Sequence, residues 1–193
     1  EITTRLVGSE MCIRDRLRDI RSDVRIPLIL MGYLNPIMKF GFEAFCQKCV
    51  ECGIDGVIIP DLPFKDYEET YKPIADRYDI RVIMLITPET SEARVREIDE
   101  HTDGFIYMVS SAATTGAQKD FDSQKQAYFK KIQDMHLRNP RMVGFGISNK
   151  QTFDAACANS SGAIIGSRFV TLLNEAEGDA EKAITQLKEG LKK

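Results

Sequence analysis

The chain has 193 residues, a formal net charge of −3, 43% hydrophobic residues and 28% charged ones. That length suits one domain of ~100–200 residues, and the balance argues against disorder and removes the electrostatic reason to expect binding to nucleic acid or a membrane surface. No apolar run approaches the ~20 residues of a membrane span, the opening residues do not read as a secretion signal, and five cysteines, an odd number, point to reduced thiols in a cytoplasmic protein.

The elements follow a rhythm. Short apolar runs recur at Ile26–Met31, Val57–Ile59, Val82–Ile86, Phe105–Val109, Met142–Phe145 and Ala163–Ile165. Each is too short for a helix, and most are rich in Val and Ile, which predicts strands buried on both faces of a parallel sheet. Polar stretches of helical period lie between them. Phe42, Phe45, Cys46 and Cys49 form one core-facing stripe, and Ala180, Ala183, Ile184, Leu187 and Leu191 form another. Ser123 with Gln126, and Ser148 with Gln151, fit capping boxes at helix starts. The whole reads as strand, loop and helix repeated, without a linker, so one domain is expected over residues 17–193.

Such βα units build either an open doubly wound sheet or part of a (β/α)8 barrel. Polar and glycine residues cluster just after the strands: Gly32, Tyr33 and Asn35; Asp61; Thr87; Ser110 to Gly116; Gly144 to Ser148; Gly166 and Ser167. Active sites spread over several strand ends are the habit of barrels. No GxGxxG fingerprint follows an early strand, which lowers the dinucleotide-binding reading.

The last two strand ends carry the clearest chemistry. Val143-Gly-Phe-Gly-Ile-Ser148 sets two glycines around an aromatic before a helix, and Ile164-Ile-Gly-Ser-Arg168 sets Gly-Ser after a strand. Free N–H groups at helix starts bind phosphate, and glycine lets the anion approach; the same glycines also serve as simple turn residues. Ser110–Ala117 reads either as a plain connection or as a lid that closes over substrate. Cys46, Cys49 and Cys52 have C-x2-C-x2-C spacing, but position 56, where a cluster run wants its fourth cysteine, is Gly56. They read as buried hydrophobes rather than metal ligands. His101 and His136 read as surface residues. Asp61 is a candidate general base, or merely a backbone acceptor in the turn Ile59-Pro-Asp-Leu-Pro63.

Taken in order, Leu30-Met-Gly-Tyr-Leu-Asn-Pro36, Gly53–Pro63, Gly104–Ser110, Thr114-Thr-Gly-Ala117, Val143–Ser148 and Ile165-Gly-Ser167 resemble the tryptophan synthase alpha subunit family from about Leu17 to the C-terminus. The resemblance implies a TIM (β/α)8 barrel, here partial, with strands 3 to 8 present and the first two βα units missing. It implies a carbon–carbon lyase of tryptophan biosynthesis that cleaves indole-3-glycerol phosphate by a retro-aldol reaction into indole and glyceraldehyde 3-phosphate. No cofactor of its own is implied, since the pyridoxal phosphate belongs to the beta subunit of an α2β2 complex. By motif, Gly116, Phe145, Gly146, Gly166 and Ser167 hold the substrate phosphate, and Tyr107 lies beside the substrate. Tyr33 and Asn35 match the loop near the beta contact, and Asp61 and Pro63 the strand end that couples the two sites.

Two departures accompany the resemblance. The family's catalytic glutamate and aspartate belong to a segment that matches nothing here, so no catalytic residue is assigned and the chain is expected to be inactive alone, with unpaired strand edges that favour aggregation. Residues 1–16 match no motif and stay unassigned, a foreign junction being one account of them. A non-catalytic alpha-like subunit that docks on a beta subunit, or another phosphate-binding TIM-barrel enzyme, are the alternative readings.

Overall fold

The computed structural model describes residues 17, 20–110, 118–144 and 146–192, with backbone alone for 118–123. The chain groups into two compact units. One runs to Met84 and takes in His101–Gly104; the other takes Leu85–Glu100 and continues from Phe105.

The first unit is built on a three-stranded parallel sheet, β1 (Ile29–Met31), β2 (Gly56–Ile58) and β3 (Arg81–Ile83), in that spatial order. Leu30 pairs with Val57, and Val57 with Val82. A short α1 (Ile20–Asp23) precedes β1, and α2 (Leu34–Phe40) and α3 (Phe42–Glu51) follow it. After β2 come α4 (Phe64–Asp66), a π-helical turn over Tyr67–Tyr71 and α5 (Lys72–Arg77).

The expected stripe is what folds α3: Phe42, Cys46 and Cys49 are its buried residues. The helix stops at Gly53, whose φ of +68° only glycine adopts freely. The Ile54 N–H donates to the Cys49 carbonyl and the Gly53 N–H to that of Val50, the two bonds of a Schellman end. Ile54 then starts the next buried run. Arg21 anchors α1 to this corner, donating to the Gly53 and Ile26 carbonyls and pairing with Asp55, whose carboxylate also accepts from the Leu28 N–H.

The second unit carries a four-stranded parallel sheet, β4 (Leu85–Ile86), β5 (Ile106–Val109), β6 (Arg141–Gly144) and β7 (Gly162–Ala163), again in sequential order. Its helices are α6 (Glu92–His101), α7 (Gln118–Asp134), α8 (Lys150–Cys157), α9 (Ser167–Glu175) and α10 (Ala180–Gly190). Ile86, Ile106, Met108 and Val143 are almost wholly buried and form the core of this sheet. Leu172, Ala176 and Ala183 make a smaller cluster where α9 and α10 pack, flanked by Phe169, Leu173 and Leu187.

Several boundaries differ from the expected ones. The run Val82–Ile86 is two strands in two sheets, separated by Met84. The first run starts as a strand only at Ile29; Ile26 is 70% exposed, and Met31 at the strand end is also exposed, so β1 is not buried on both faces. Ser123 lies inside α7 rather than at its start. The box before α8 sits one residue later than expected: Asn149 accepts from the Thr152 N–H, and the Thr152 hydroxyl takes the Asn149 N–H. Asparagine bonds the turn as readily as serine, so the pattern alone could not choose between neighbours. Ile184 faces outward, 41% exposed, although it belongs to the α10 stripe.

Candidate functional site

Because β5, β6 and β7 are adjacent and parallel, their C-terminal ends lie along one edge of the second sheet. Three groups of predicted residues meet that edge. Tyr107, from β5, is buried, and its pKa is raised because burial disfavours the phenolate. Its ring lies against the Cα of Gly144. A Cβ there would overlap the Tyr107 hydroxyl and Cζ, and would sit 2.5 Å from Cε1. Glycine at 144 is therefore what admits the tyrosine, a role the spacing of the motif does not disclose.

Two residues on, Gly146 is exposed and has a φ of +74°. The turn between β6 and α8 thus runs through a left-handed glycine, which bends the backbone past the strand end. After β7, Gly166 forms the N-cap of α9 without a side-chain cap bond, and a Cβ built on it would meet nothing within 4 Å. Gly166 and Ser167 are both exposed. An uncapped helix start with an open approach suits an anion, since N–H groups and the helix dipole both favour negative charge. Arg168 does not turn back toward this start: its guanidinium lies 3.8 Å from Glu175 at the other end of α9. Gly116 and Phe145 fall outside the described residues.

The other predicted group is in the first unit. Tyr33, the N-cap of α2, is 67% exposed, and Asn35, Asp61 and Pro63 are exposed too. The Leu34 N–H donates to the Asp61 carboxylate at 2.8 Å. Asp61 is thus an acceptor that fastens the start of α2 to the end of β2, where its charge also suits the helix dipole. Met38 and Phe40 continue the apolar exposure along α2, and the Tyr71 hydroxyl reaches the Met38 sulfur at 2.7 Å.

Cys46, Cys49 and Cys52 belong to neither group. They are buried as free thiols. Burial, then Glu43, pushes the Cys46 thiol up to about 11; burial, then the neighbouring thiols, pushes Cys49 up to about 12. Such thiols are poor nucleophiles and poor metal ligands. Among the described residues no group of three or more His, Cys, Asp or Glu side chains is placed to hold a metal ion. No described helix is long and apolar enough to cross a membrane. His101 pairs with Glu68 and packs edge-on to Phe64, and His136 takes a left-handed φ of +51° just after α7.

Comparison with known proteins brings these features under one heading. A family profile described as tryptophan synthase alpha chain matches residues 9–193, so the match begins upstream of the motif-bearing region. The chain is 79% identical over 174 residues to the tryptophan synthase alpha chain of Bacteroides fragilis, covering 90% of this chain and 66% of that protein. It is 68% identical over 192 residues to that of Phocaeicola vulgatus, covering 98% of this chain and 74% of the relative. The chain thus spans about two-thirds to three-quarters of the length of these relatives. Among solved structures, the tryptophan synthase A-subunit of Pyrococcus furiosus superposes with a TM-score of 0.77 at 28% identity, covering 91% of this chain and 70% of that one. The alpha subunit of Campylobacter jejuni gives the same TM-score and identity. The α/β architecture of parallel strands and alternating helices is accordingly of the TIM-barrel type, and the chain belongs to the tryptophan synthase alpha chain family.

Proposed function

We propose that this chain serves tryptophan biosynthesis by binding indole-3-glycerol phosphate, the substrate of a retro-aldol carbon–carbon lyase that yields indole and glyceraldehyde 3-phosphate. The observation that carries this reading is the pair of glycine strand ends on neighbouring strands: the left-handed Gly146 turn after β6 and the uncapped, unobstructed Gly166 start of α9. The dianionic phosphate sits on their N–H groups, with Gly116, Phe145 and Ser167 carried over by motif. Tyr107, wedged on Gly144, lines the indole side.

The reaction needs a proton delivered to the indole ring and one removed from the glycerol hydroxyl. Each positioned acid or base contributes ~10²–10⁴-fold in rate. The family's two carboxylates have no match among the motifs of these 193 residues, so the chain as given is expected to bind substrate without turning it over by itself. Proton transfer accounts for the chemistry without a cofactor in this chain. The exposed start of α2, with Tyr33, Asn35, Asp61 and Pro63, docks on a pyridoxal-phosphate-bearing beta subunit, as in an α2β2 complex.

Two assays test this together. Titration with glycerol phosphate, followed by backbone amide NMR, is expected to shift Gly146 and Gly166; unmoved amides at both glycines would sink the phosphate reading. Indole release from indole-3-glycerol phosphate is expected to be absent for the 193-residue chain, and turnover close to that of the relatives would refute the assignment of binding without catalysis.

A further inference from the structure

Methionine is a pliable apolar side chain with three rotatable bonds, and Met38 stands 49% exposed on α2. Left to itself, such a side chain samples several staggered rotamers. Here it is held, because the Tyr71 hydroxyl donates to its sulfur at 2.7 Å from 33 residues along the chain. Tyr71 is only 8% exposed, and its ring packs on that of Phe42, with centroids 4.7 Å apart and planes tilted by 57°. Phe42 is itself buried at the start of α3. Tyr71 closes the π-helical turn Tyr67–Tyr71, a geometry that recurs at functional sites. The ring is thus clamped on α3 while its hydroxyl reaches α2. Asp61 already fastens the first residue of α2 through the Leu34 N–H, and Tyr71 takes hold about one turn further on. A thioether is a weak acceptor, so the bond adds little to the fold; its consequence is to fix the direction of an exposed apolar group. Met31 provides a contrast within the same unit. It is 55% exposed at the end of β1, and among the described residues nothing donates to its sulfur.

We propose that Tyr71 is a positioning residue for docking on the beta subunit: its hydroxyl holds the Met38 thioether in place, so that α2 presents a preset apolar anchor. This rests on the docking reading above and extends it to a buried residue that does not itself touch the partner. A side chain ordered in advance spares the interface that ordering cost. Loss of the bond with the ring retained is accordingly worth about 2- to 10-fold in affinity.

The experiment measures binding of the 193-residue chain to a purified tryptophan synthase beta subunit by titration calorimetry. Tyr71→Phe keeps the ring on Phe42 and is expected to bind about 2- to 10-fold more weakly. In a Met38→Leu background, which keeps the apolar bulk and removes the acceptor, Tyr71→Phe is expected to cost nothing further. Undiminished binding by Tyr71→Phe, or an equal loss in both backgrounds, overturns the inference, because a merely structural tyrosine would not depend on the Met38 sulfur. Hydrogen peroxide on the unaltered chain gives an answer even if the variant does not fold. It transfers one oxygen to a thioether, leaving a sulfoxide and water, and attack needs the sulfur lone pair that Tyr71 occupies. Peptide mass mapping is expected to find Met38 oxidised more slowly than Met31, and equal or faster oxidation of Met38 overturns the role of Tyr71. An unaltered chain that does not bind the beta subunit overturns the docking reading itself, and this inference with it; an unaltered chain that binds while Tyr71→Phe binds equally well overturns this inference alone.

Discussion

Asp99 offers the sharpest test of what holds the second unit together. It lies in α6, only 9% exposed. Its carboxylate accepts from the Arg138 N–H at 2.7 Å, the Asn139 N–H at 2.8 Å and the Asn139 side-chain amide at 3.0 Å. Its carbonyl accepts from the Arg138 guanidinium at 2.9 Å and the Asn139 amide at 2.8 Å. One aspartate thus fastens the end of α6 to the segment that leads into β6, 39 and 40 residues away along the chain. Asp99→Ala leaves the main-chain carbonyl bonds in place and strips the carboxylate. Asn139 is 5% exposed, so the Asp99 acceptor that its N–H loses is not readily replaced by water, whereas Arg138 is exposed and its N–H can be hydrated. One orphaned buried donor costs about 1–3 kcal/mol, and the charged acceptor adds to the loss. The expected total is about 2–4 kcal/mol. Asp99→Asn keeps one acceptor oxygen and is expected to cost about half as much. Urea unfolding of the three proteins, compared at equal slope, measures both values. A loss under about 0.5 kcal/mol for the alanine variant would show that the bracket does not support the fold as its geometry says.

Gly144→Ala is expected to cost about 1–3 kcal/mol in a thermal melt, because the new Cβ overlaps the Tyr107 ring, which is itself buried; an unchanged melt would mean the ring moves freely. Asp61→Ala removes the acceptor of the Leu34 N–H and is expected to loosen the start of α2 by about 1 kcal/mol, with weaker capture of a beta subunit in a pull-down; undiminished capture would remove Asp61 from the docking face. The Cys46 and Cys49 thiols, pushed up to about 11 and about 12, stay protonated in the fold while the unfolded chain ionises near 9.0. The native state then holds more protons, so this contribution is complete below pH 9 and is lost as pH rises through 11 to 12. Replacing both cysteines with alanine is expected to flatten the alkaline fall in stability, and an unaltered profile would contradict the burial. Dialysis against a strong chelator is expected to leave the melting temperature where it was; a clear drop would reinstate Cys46, Cys49 and Cys52 as ligands.

Much of the local structure was legible in the residues. The Phe42, Cys46 and Cys49 stripe announces α3, whereas its end at Gly53 emerged only from the backbone geometry. The apolar runs locate each strand to within a few residues. Errors arose where local signals were degenerate. Asn149 and Ser148 compete for one cap, and Ile26 is as apolar as the strand it precedes yet lies outside it. The single run Val82–Ile86 carries no mark of its break at Met84, since both pieces are equally apolar and only their hydrogen-bonded partners differ.

The candidate site was legible as a set of strand ends, because glycines after apolar runs have few uses besides turns and anion binding. What each end contacts was not. Tyr107 against Gly144, Ser110 beside Gly146, Asp61 on Leu34 and Asp99 on Asn139 join residues 27 to 40 positions apart. The sequence by itself determined the order of strands and helices, since periodicity, caps and turn glycines act within a few residues. Only the tertiary structure decided which side chain fills which gap, because those contacts depend on strand register and on the volume left by a partner far along the chain.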